Sequence, residues 1–381
     1  MQEKFMWRAL ELAKKGLGFT SPNPLVGAVI VKGGEIVGEG YHRKAGTDHA
    51  EIVAIKQVMK KSGIKSVDLD PALFHNATLY VTLEPCSHIG KTPSCARAIV
   101  AAGFKKVCIG MKDPFDLVNG RGIKFLRDHG VELELCKPGS RLYGAIGLIN
   151  QQFIKSSTIS LPYVVLKAGM SLDGKIATAT GESKWITGDL ALRDARLERS
   201  ACDAVLVGAG TVLADDPELA PYGRFSSKKL LRVIIDPALT LPFDLKVFRD
   251  ENVFVAYCSG LASSKNLKRY DSAGINCKAF GSNRISISRL LGFLSKKSIQ
   301  SVFVEGGSSV HGSFCDEALA GKKVVDKVIF YVAAKIIGGK DSLAVIGGDG
   351  ALSLVKSLRL TDLEFEKVGM DLKLSALVNR Y

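Results

Sequence analysis

A chain of 381 residues with 46% hydrophobic and 24% charged side chains is long enough for two domains and too apolar to be disordered. Its formal net charge of +14 is spread over both halves without a basic tract, which speaks against nucleic acid as a partner and suits a solvated surface with some cations reserved for phosphate-bearing small ligands. No stretch approaches the ~20 apolar residues needed to cross a bilayer, no secretory signal is expected, and eight cysteines are too dilute for a disulfide scaffold, so a cytoplasmic protein without a membrane partner is expected.

Apolar residues at helical spacing predict an amphipathic helix from about residue 3 to 15. Val29 and its neighbours (27–31) and the segment 36–40 flank a Gly33-Gly34 turn and read as a β-hairpin. A helix follows, for which Asp48 is the expected N-cap, with His49 and Glu51 in its first turn. Residues 78–83 are rich in β-branched and aromatic side chains and predict a strand that stops at Pro85. A helix over 94–102, a strand over 107–110, a helix over 122–129 and a strand over 131–135 complete an alternation that implies a mostly parallel, two-faced sheet.

This first region carries its own chemistry. His49-Ala50-Glu51, then Pro85-Cys86 and Cys95, supply one imidazole and two thiolates. Three such ligands leave a fourth tetrahedral position open, as catalytic Zn2+ requires; a structural zinc module would need a fourth protein ligand, and no Cys or His with clear spacing supplies one. Zinc lowers the pKa of its water to roughly 7, and Glu51 is placed to carry the proton. H-x-E followed by P-C-x-x-C is the general pattern of zinc nucleobase deaminases. Eight residues, not two, separate Cys86 from Cys95, and the longer loop brings His88 and Lys91 into the vicinity of the metal.

A helix and loop over 140–160 connect to a second alternation, and the division is expected at 147/148, giving domains 1–147 and 148–381. Strands are predicted at 162–169, 204–208, 232–236, 253–257, 301–305 and 327–331. The run Glu305-Gly306-Gly307-Ser308 has the form strand, glycine turn, helix start, where free N–H groups can meet a phosphate. The segments around Gly169 to Ser171 and around Gly210 to Asp215 place glycines and hydroxyls just after buried strands. Trp185 reads equally well as core filler or as the wall for a flat ring.

With both sets of segments in view, the chain resembles the bifunctional riboflavin-biosynthesis pyrimidine deaminase/reductase family along nearly its whole length. The motifs that carry this are Ser21-Pro-Asn-Pro, His49-Ala-Glu51, Thr82-Leu-Glu-Pro-Cys86 with Cys95, Ser171-Leu-Asp-Gly174, the segment around Trp185-Ile-Thr187, and Thr211 through Pro217. The resemblance implies an α/β protein with a cytidine-deaminase-like N-terminal domain and a dihydrofolate-reductase-like C-terminal domain. It implies zinc-dependent deamination of a diaminopyrimidine carrying a ribosylamino phosphate, then NADPH-dependent reduction of the ribosyl group to give 5-amino-6-ribitylaminouracil 5′-phosphate.

By the same resemblance, Asn23, His42, His88 and Lys91 match positions that hold the pyrimidine and its phosphate. Lys167, Ser183, Arg199, Leu219, Arg224 and Glu305 match substrate positions of the reductase. Gly169, Trp185, Thr211, Asp215 and the turn Gly307, Ser308, Ser309, Val310, His311, Gly312 and Ser313 match NADPH positions. Departures are local: Phe115 stands where the family usually has Asn, Arg224 aligns only with a shift, Pro237 replaces a serine and Ala334 a proline. The expected partner is a small phosphorylated pyrimidine, and the expected assembly a homo-oligomer.

Overall fold

The computed structural model describes residues 1–64, 70–87, 94–115 and 118–379. Two compact units emerge, Met1–Ser160 and Leu161–Tyr381. The division falls later than 147/148 because the connecting helix breaks at Asn150 into two pieces, and the second still packs on the first unit. Asn150 is buried, and its side chain accepts from Leu25 N at 2.8 Å and donates to Leu25 O at 3.1 Å. Phe153, beyond that break, is buried with Met6, Leu10 and Ile146.

The first unit runs α1 (Glu3–Lys14), β1 (Gly27–Lys32), β2 (Glu35–Tyr41), α2 (Ala50–Lys61), β3 (Ala77–Leu83), α3 (Cys95–Ala101), β4 (Lys106–Met111), α4 (Arg121–Asp128), β5 (Glu132–Leu135), α5 (Arg141–Ile149) and α6 (Gln151–Ile159). Its five strands take the order β2-β1-β3-β4-β5. The expectation of a mostly parallel sheet is corrected: β1 is antiparallel to both β2 and β3, and only β3-β4 and β4-β5 are parallel. The Gly33-Gly34 turn, with φ of +62° and +84°, sends β2 straight back along β1. Alternate side chains separate the two layers. Val29, Val31 and Tyr80 meet α1 and α5, whereas Ala28, Ile30, Leu79 and Val81 meet the layer of α2, α3 and α4.

The second unit comprises β6 (Tyr163–Ser171), α7 (Asp189–Ala201), β7 (Ala204–Gly208), α8 (Ala209–Asp215), β8 (Leu231–Ile235), β9 (Val253–Tyr257), α9 (Ser264–Ser272), β10 (Cys277–Ala279), α10 (Ile287–Lys296), β11 (Ser301–Val304), α11 (Ser308–Leu319), β12 (Lys327–Ala333), β13 (Leu360–Val368) and β14 (Asp371–Val378). The nine-stranded order is β10-β9-β8-β7-β11-β6-β12-β14-β13. From β10 across to β12 each neighbouring pair is parallel, and the central strands β8, β7 and β11 are buried almost end to end, as sheets covered on both faces require. The final antiparallel pair, β13 and β14, was not expected. Lys373 Nζ ties β14 to α7 through Asp194 and Glu198, each at 2.8 Å.

Candidate active sites

The first site grows from the ends of β2 and β3. A Cβ on Gly40 would lie 2.3 Å from Ala50 O, so glycine there lets the start of α2 sit directly on β2. His49 is the N-cap of α2. The expected cap, Asp48, instead forms an ion pair with Lys56 at 2.7 Å, so the first-turn amides of α2 are left to the site and not to a side-chain cap. Cys95 opens α3, whose N-cap Ser94 accepts from Arg97 N, and Cys86 lies just beyond β3. His49 Nδ1 is 3.2 Å from Cys95 Sγ and 3.6 Å from Cys86 Sγ, and the three ligand atoms lie within 4.8 Å of one another.

These separations suit zinc. Bonds of about 2.0 Å to nitrogen and 2.3 Å to sulfur at tetrahedral angles place ligand atoms roughly 3.5–3.8 Å apart. Among the described residues the cluster has three donors, which leaves a fourth corner for a reacting water. Glu51 is 3% exposed beside them, and burial, followed by the nearby Cys86 sulfur, pushes its carboxyl up to about 7. Hydrogen bonding from Cys95 outweighs burial at Cys86 and pulls that thiol below its ordinary value, which favours a thiolate in the cluster.

Asn23 and His42 are brought together at the same end of the sheet. The Asn23 amide nitrogen is 3.0 Å from His42 Nε2, and His42 Nδ1 is 3.1 Å from Asp48 O. His42 stands edge-on to His49 with ring centroids 5.1 Å apart, and burial lowers its pKa, which favours the neutral ring. His88 and Lys91 lie outside the described residues. Phe115 is exposed and donates its N–H to Asp113 Oδ1 at 2.8 Å. Sequence reasoning missed Glu84, which is buried and accepts from four main-chain N–H groups.

The second site lies where β11 and β7 end. A Cβ on Gly307 would come 3.6 Å from Thr211 Oγ1, so the β11-α11 turn faces the start of α8 across a cradle that glycine leaves open. Val310 N and His311 N are both spent on Gly307 O, and Ser313 Oγ donates to Ser309 O. Among the described residues the N–H groups of Gly307, Ser308 and Ser309 have no such partner, and they are the ones a cofactor phosphate can use. The side chains of Val310 and His311 are buried, and a Cβ on Gly312 would meet Gly347 at 2.4 Å, so these three support the turn from behind.

The buried Arg199 pairs with the nearly buried Glu305 at 3.2 Å, and Arg199 also donates to Ala220 O at 3.0 Å. Burial pushes the Glu305 carboxyl up, but Lys167 and Arg199 together hold it below its ordinary value. Asp215 is paired with Lys184 at 3.1 Å, and Lys335 donates to Trp185 O at 2.8 Å; the Trp185 ring is 64% exposed, which removes the core-filler reading. A Cβ on Gly169 would crowd Thr187, so glycine keeps that part of β6 open. Ser183 is half-buried, Leu219 packs into the core with Val205 and Val207, and Arg224 is exposed with its guanidinium over Phe225. Among the described residues, the side-chain hydrogen bonds and ion pairs of Arg199 and Glu305 run to each other and to Ala220 O, not to those three side chains.

Residues 162–374 match the RibD C-terminal domain, and residues 1–111 match the cytidine and deoxycytidylate deaminase zinc-binding region. Riboflavin biosynthesis protein RibD of Bacillus amyloliquefaciens is 41% identical over 378 residues, covering 99% of this chain and 96% of that protein. The chain belongs to the RibD family. Two solved RibD-type structures agree over the whole fold. Acinetobacter baumannii RibD superposes with a TM-score of 0.83 at 34% identity, covering 99% of this chain and 98% of that one. A Thermotoga maritima diaminohydroxyphosphoribosylaminopyrimidine deaminase/5-amino-6-(5-phosphoribosylamino)uracil reductase gives 0.78 at 35% identity, with 99% and 98% covered.

As a RibD-family protein the chain is a bifunctional enzyme of riboflavin biosynthesis, with a zinc-dependent deaminase half and a reductase half that uses NADPH. The expected α/β architecture, deaminase-like first and dihydrofolate-reductase-like second, is the one found. Among the described residues no helix is long and apolar enough to cross a membrane.

Proposed function

We propose that this chain deaminates 2,5-diamino-6-ribosylamino-4(3H)-pyrimidinone 5′-phosphate and then reduces the ribosyl group of the product to give 5-amino-6-ribitylaminouracil 5′-phosphate. The observation that carries the reading is the His49, Cys86 and Cys95 cluster with the buried Glu51 carboxyl beside it. The printed activities of the Thermotoga maritima protein support the choice of substrate.

In the first step, His49, Cys86 and Cys95 hold zinc, which when bound supplies a water of lowered pKa. Glu51 would take one proton from the attacking water and pass it to the ring nitrogen, then take the second from the oxygen now bonded to the ring carbon and pass it to the amine, which leaves as ammonia; a carboxyl whose pKa lies near neutrality can both accept and donate. Because His42 Nδ1 can only donate to Asp48 O, its Nε2 accepts from the Asn23 amide, and Asn23 Oδ1 is left to accept an N–H of the pyrimidine. His42 thus acts through Asn23. His88 and Lys91 are assigned to the substrate phosphate.

In the second step NADPH supplies the reducing equivalents. The N–H groups at Gly307, Ser308 and Ser309 would hold its phosphate, and Thr211, Asp215, Gly169 and Trp185 would complete its binding site. Val310, His311, Gly312 and Ser313 hold the turn in shape. Lys167, Arg199 and Glu305 bind the substrate, with the Arg199 guanidinium suited to its phosphate. Ser183, Leu219 and Arg224 border the same substrate. Leu219, being buried, acts through its main chain.

The reading includes a homo-oligomer. Edge strand β13 leaves Leu363 and Phe365 exposed, and a second copy could cover both its open edge and that apolar surface. It also includes a cytoplasmic location, supported by eight unpaired cysteines, two of them required as thiolates. Ammonia release by the purified chain, lost on chelation, tests the first step.

A further inference from the structure

Glu84 is only 4% exposed and stands two residues before Cys86. Its Oε1 accepts from Gly122 N at 2.9 Å and Ile123 N at 3.1 Å. Its Oε2 accepts from Gly120 N at 2.9 Å and Asp113 N at 3.2 Å. A carboxylate this deeply buried is tolerable only when its lone pairs are satisfied, and four charge-assisted bonds do so. Three of the donors belong to the N-cap and first turn of α4, so Glu84 caps a helix that begins 37 residues further along the chain and meets the positive end of its dipole.

The other side of Cys86 is held as firmly. Cys86 O accepts from Ala96 N at 3.1 Å and from Ser94 Oγ at 2.8 Å, and Cys95 N lies 3.4 Å from Cys86 Sγ. Between the two grips, a Cβ on Gly122 would fall 1.9 Å from Pro85 O, so the start of α4 rests directly on the Pro85 peptide. The tripeptide Glu84-Pro85-Cys86 is therefore clamped between the starts of α4 and α3, and Glu84 supplies the side chain of the α4 half of the clamp.

We propose that Glu84 is a positioning residue of the metal centre: by fixing the Pro85-Cys86 turn against α4, it sets where Cys86 Sγ stands relative to His49 Nδ1 and Cys95 Sγ, and so sets the zinc affinity. This rests on reading those three residues as zinc ligands. Metal-ligand distances tolerate only about 0.2 Å, and groups that orient ligands from outside the coordination sphere are typically worth about 10- to 100-fold in metal affinity. The same carboxylate also holds the main chain at Asp113 and at Gly120.

Glu84→Gln in the full chain tests this, since it keeps the size but turns one acceptor into an N–H₂ facing main-chain N–H groups. Zinc affinity measured by chelator competition falls about 10- to 100-fold, and the absorption bands of the cobalt-substituted protein shift. NADPH oxidation with the deaminated substrate is unchanged. Glu84→Asp keeps the charge and gives an intermediate loss; it decides the matter if the Gln variant fails to fold. Phe74→Leu, a core change against Phe104, lowers stability while leaving zinc affinity and the cobalt spectrum alone. Wild-type zinc affinity and cobalt bands in a folded Glu84 variant would overturn the proposal. A wild-type chain that takes up neither metal overturns the ligand assignment itself.

Discussion

The Asn23 side-chain amide lies 3.0 Å from His42 Nε2, and the opposite ring nitrogen of His42 points to a main-chain carbonyl. That chain of bonds chooses which end of the amide faces the substrate. Asn23→Ala removes one acceptor for a pyrimidine N–H, and a loss of about 1–3 kcal/mol is expected in deamination. Ammonia-release kinetics should show kcat/KM lower by roughly 5- to 150-fold, with the reductase step on deaminated substrate untouched. An unchanged kcat/KM would contradict the role given to Asn23.

Glu51→Gln removes the proton carrier without removing a ligand. The variant is expected to bind zinc with wild-type stoichiometry and to lose about 10²–10⁴ in the rate of ammonia release. Metal analysis and ammonia assays on the same sample check both halves of the statement. Loss of zinc would make Glu51 a ligand instead.

The Arg199-Glu305 pair gives a pH signature. Glu305 has a folded pKa below its unfolded value of about 4.3, because Lys167 and Arg199 outweigh burial. Its stabilisation is therefore present above that unfolded value and is lost as pH falls through the folded one. Glu305→Gln strands the buried Arg199 and is expected to cost about 3 kcal/mol at neutral pH. In urea unfolding of the second unit, the gap between wild type and variant closes under acid. A gap that stays constant into the acid range would contradict this assignment.

Chelation separates the two halves. Stripping zinc is expected to abolish ammonia release while leaving NADPH oxidation with the deaminated substrate at its original rate, because none of the ligands His49, Cys86 or Cys95 belongs to the second unit. Parallel loss of both activities would contradict that independence.

The clustering of His49, Cys86 and Cys95 was legible in the sequence because imidazole and thiolate side chains in that order have few other uses, and the buried strands because parallel sheets write themselves as unbroken apolar runs. Other features left no such trace. Asp48 has the chemistry of a cap yet pairs with Lys56, a choice made by tertiary geometry. β13, with Leu363, Phe365 and four charged neighbours exposed, lacks the alternation of a half-buried strand. Glu84 escaped notice because its partners are main-chain N–H groups, which carry no side-chain signature. Which amides of the β11-α11 turn stay open to the proposed cofactor phosphate depends on the carbonyl that Val310 and His311 reach, Gly307 O.

The most direct test follows ammonia and NADPH separately after adding 2,5-diamino-6-ribosylamino-4(3H)-pyrimidinone 5′-phosphate to the purified zinc-loaded chain. The account predicts that ammonia appears without NADPH present, and that NADPH, when supplied, is consumed mole for mole only after ammonia has been released. Absence of ammonia release, or NADPH oxidation that precedes it, would contradict the account.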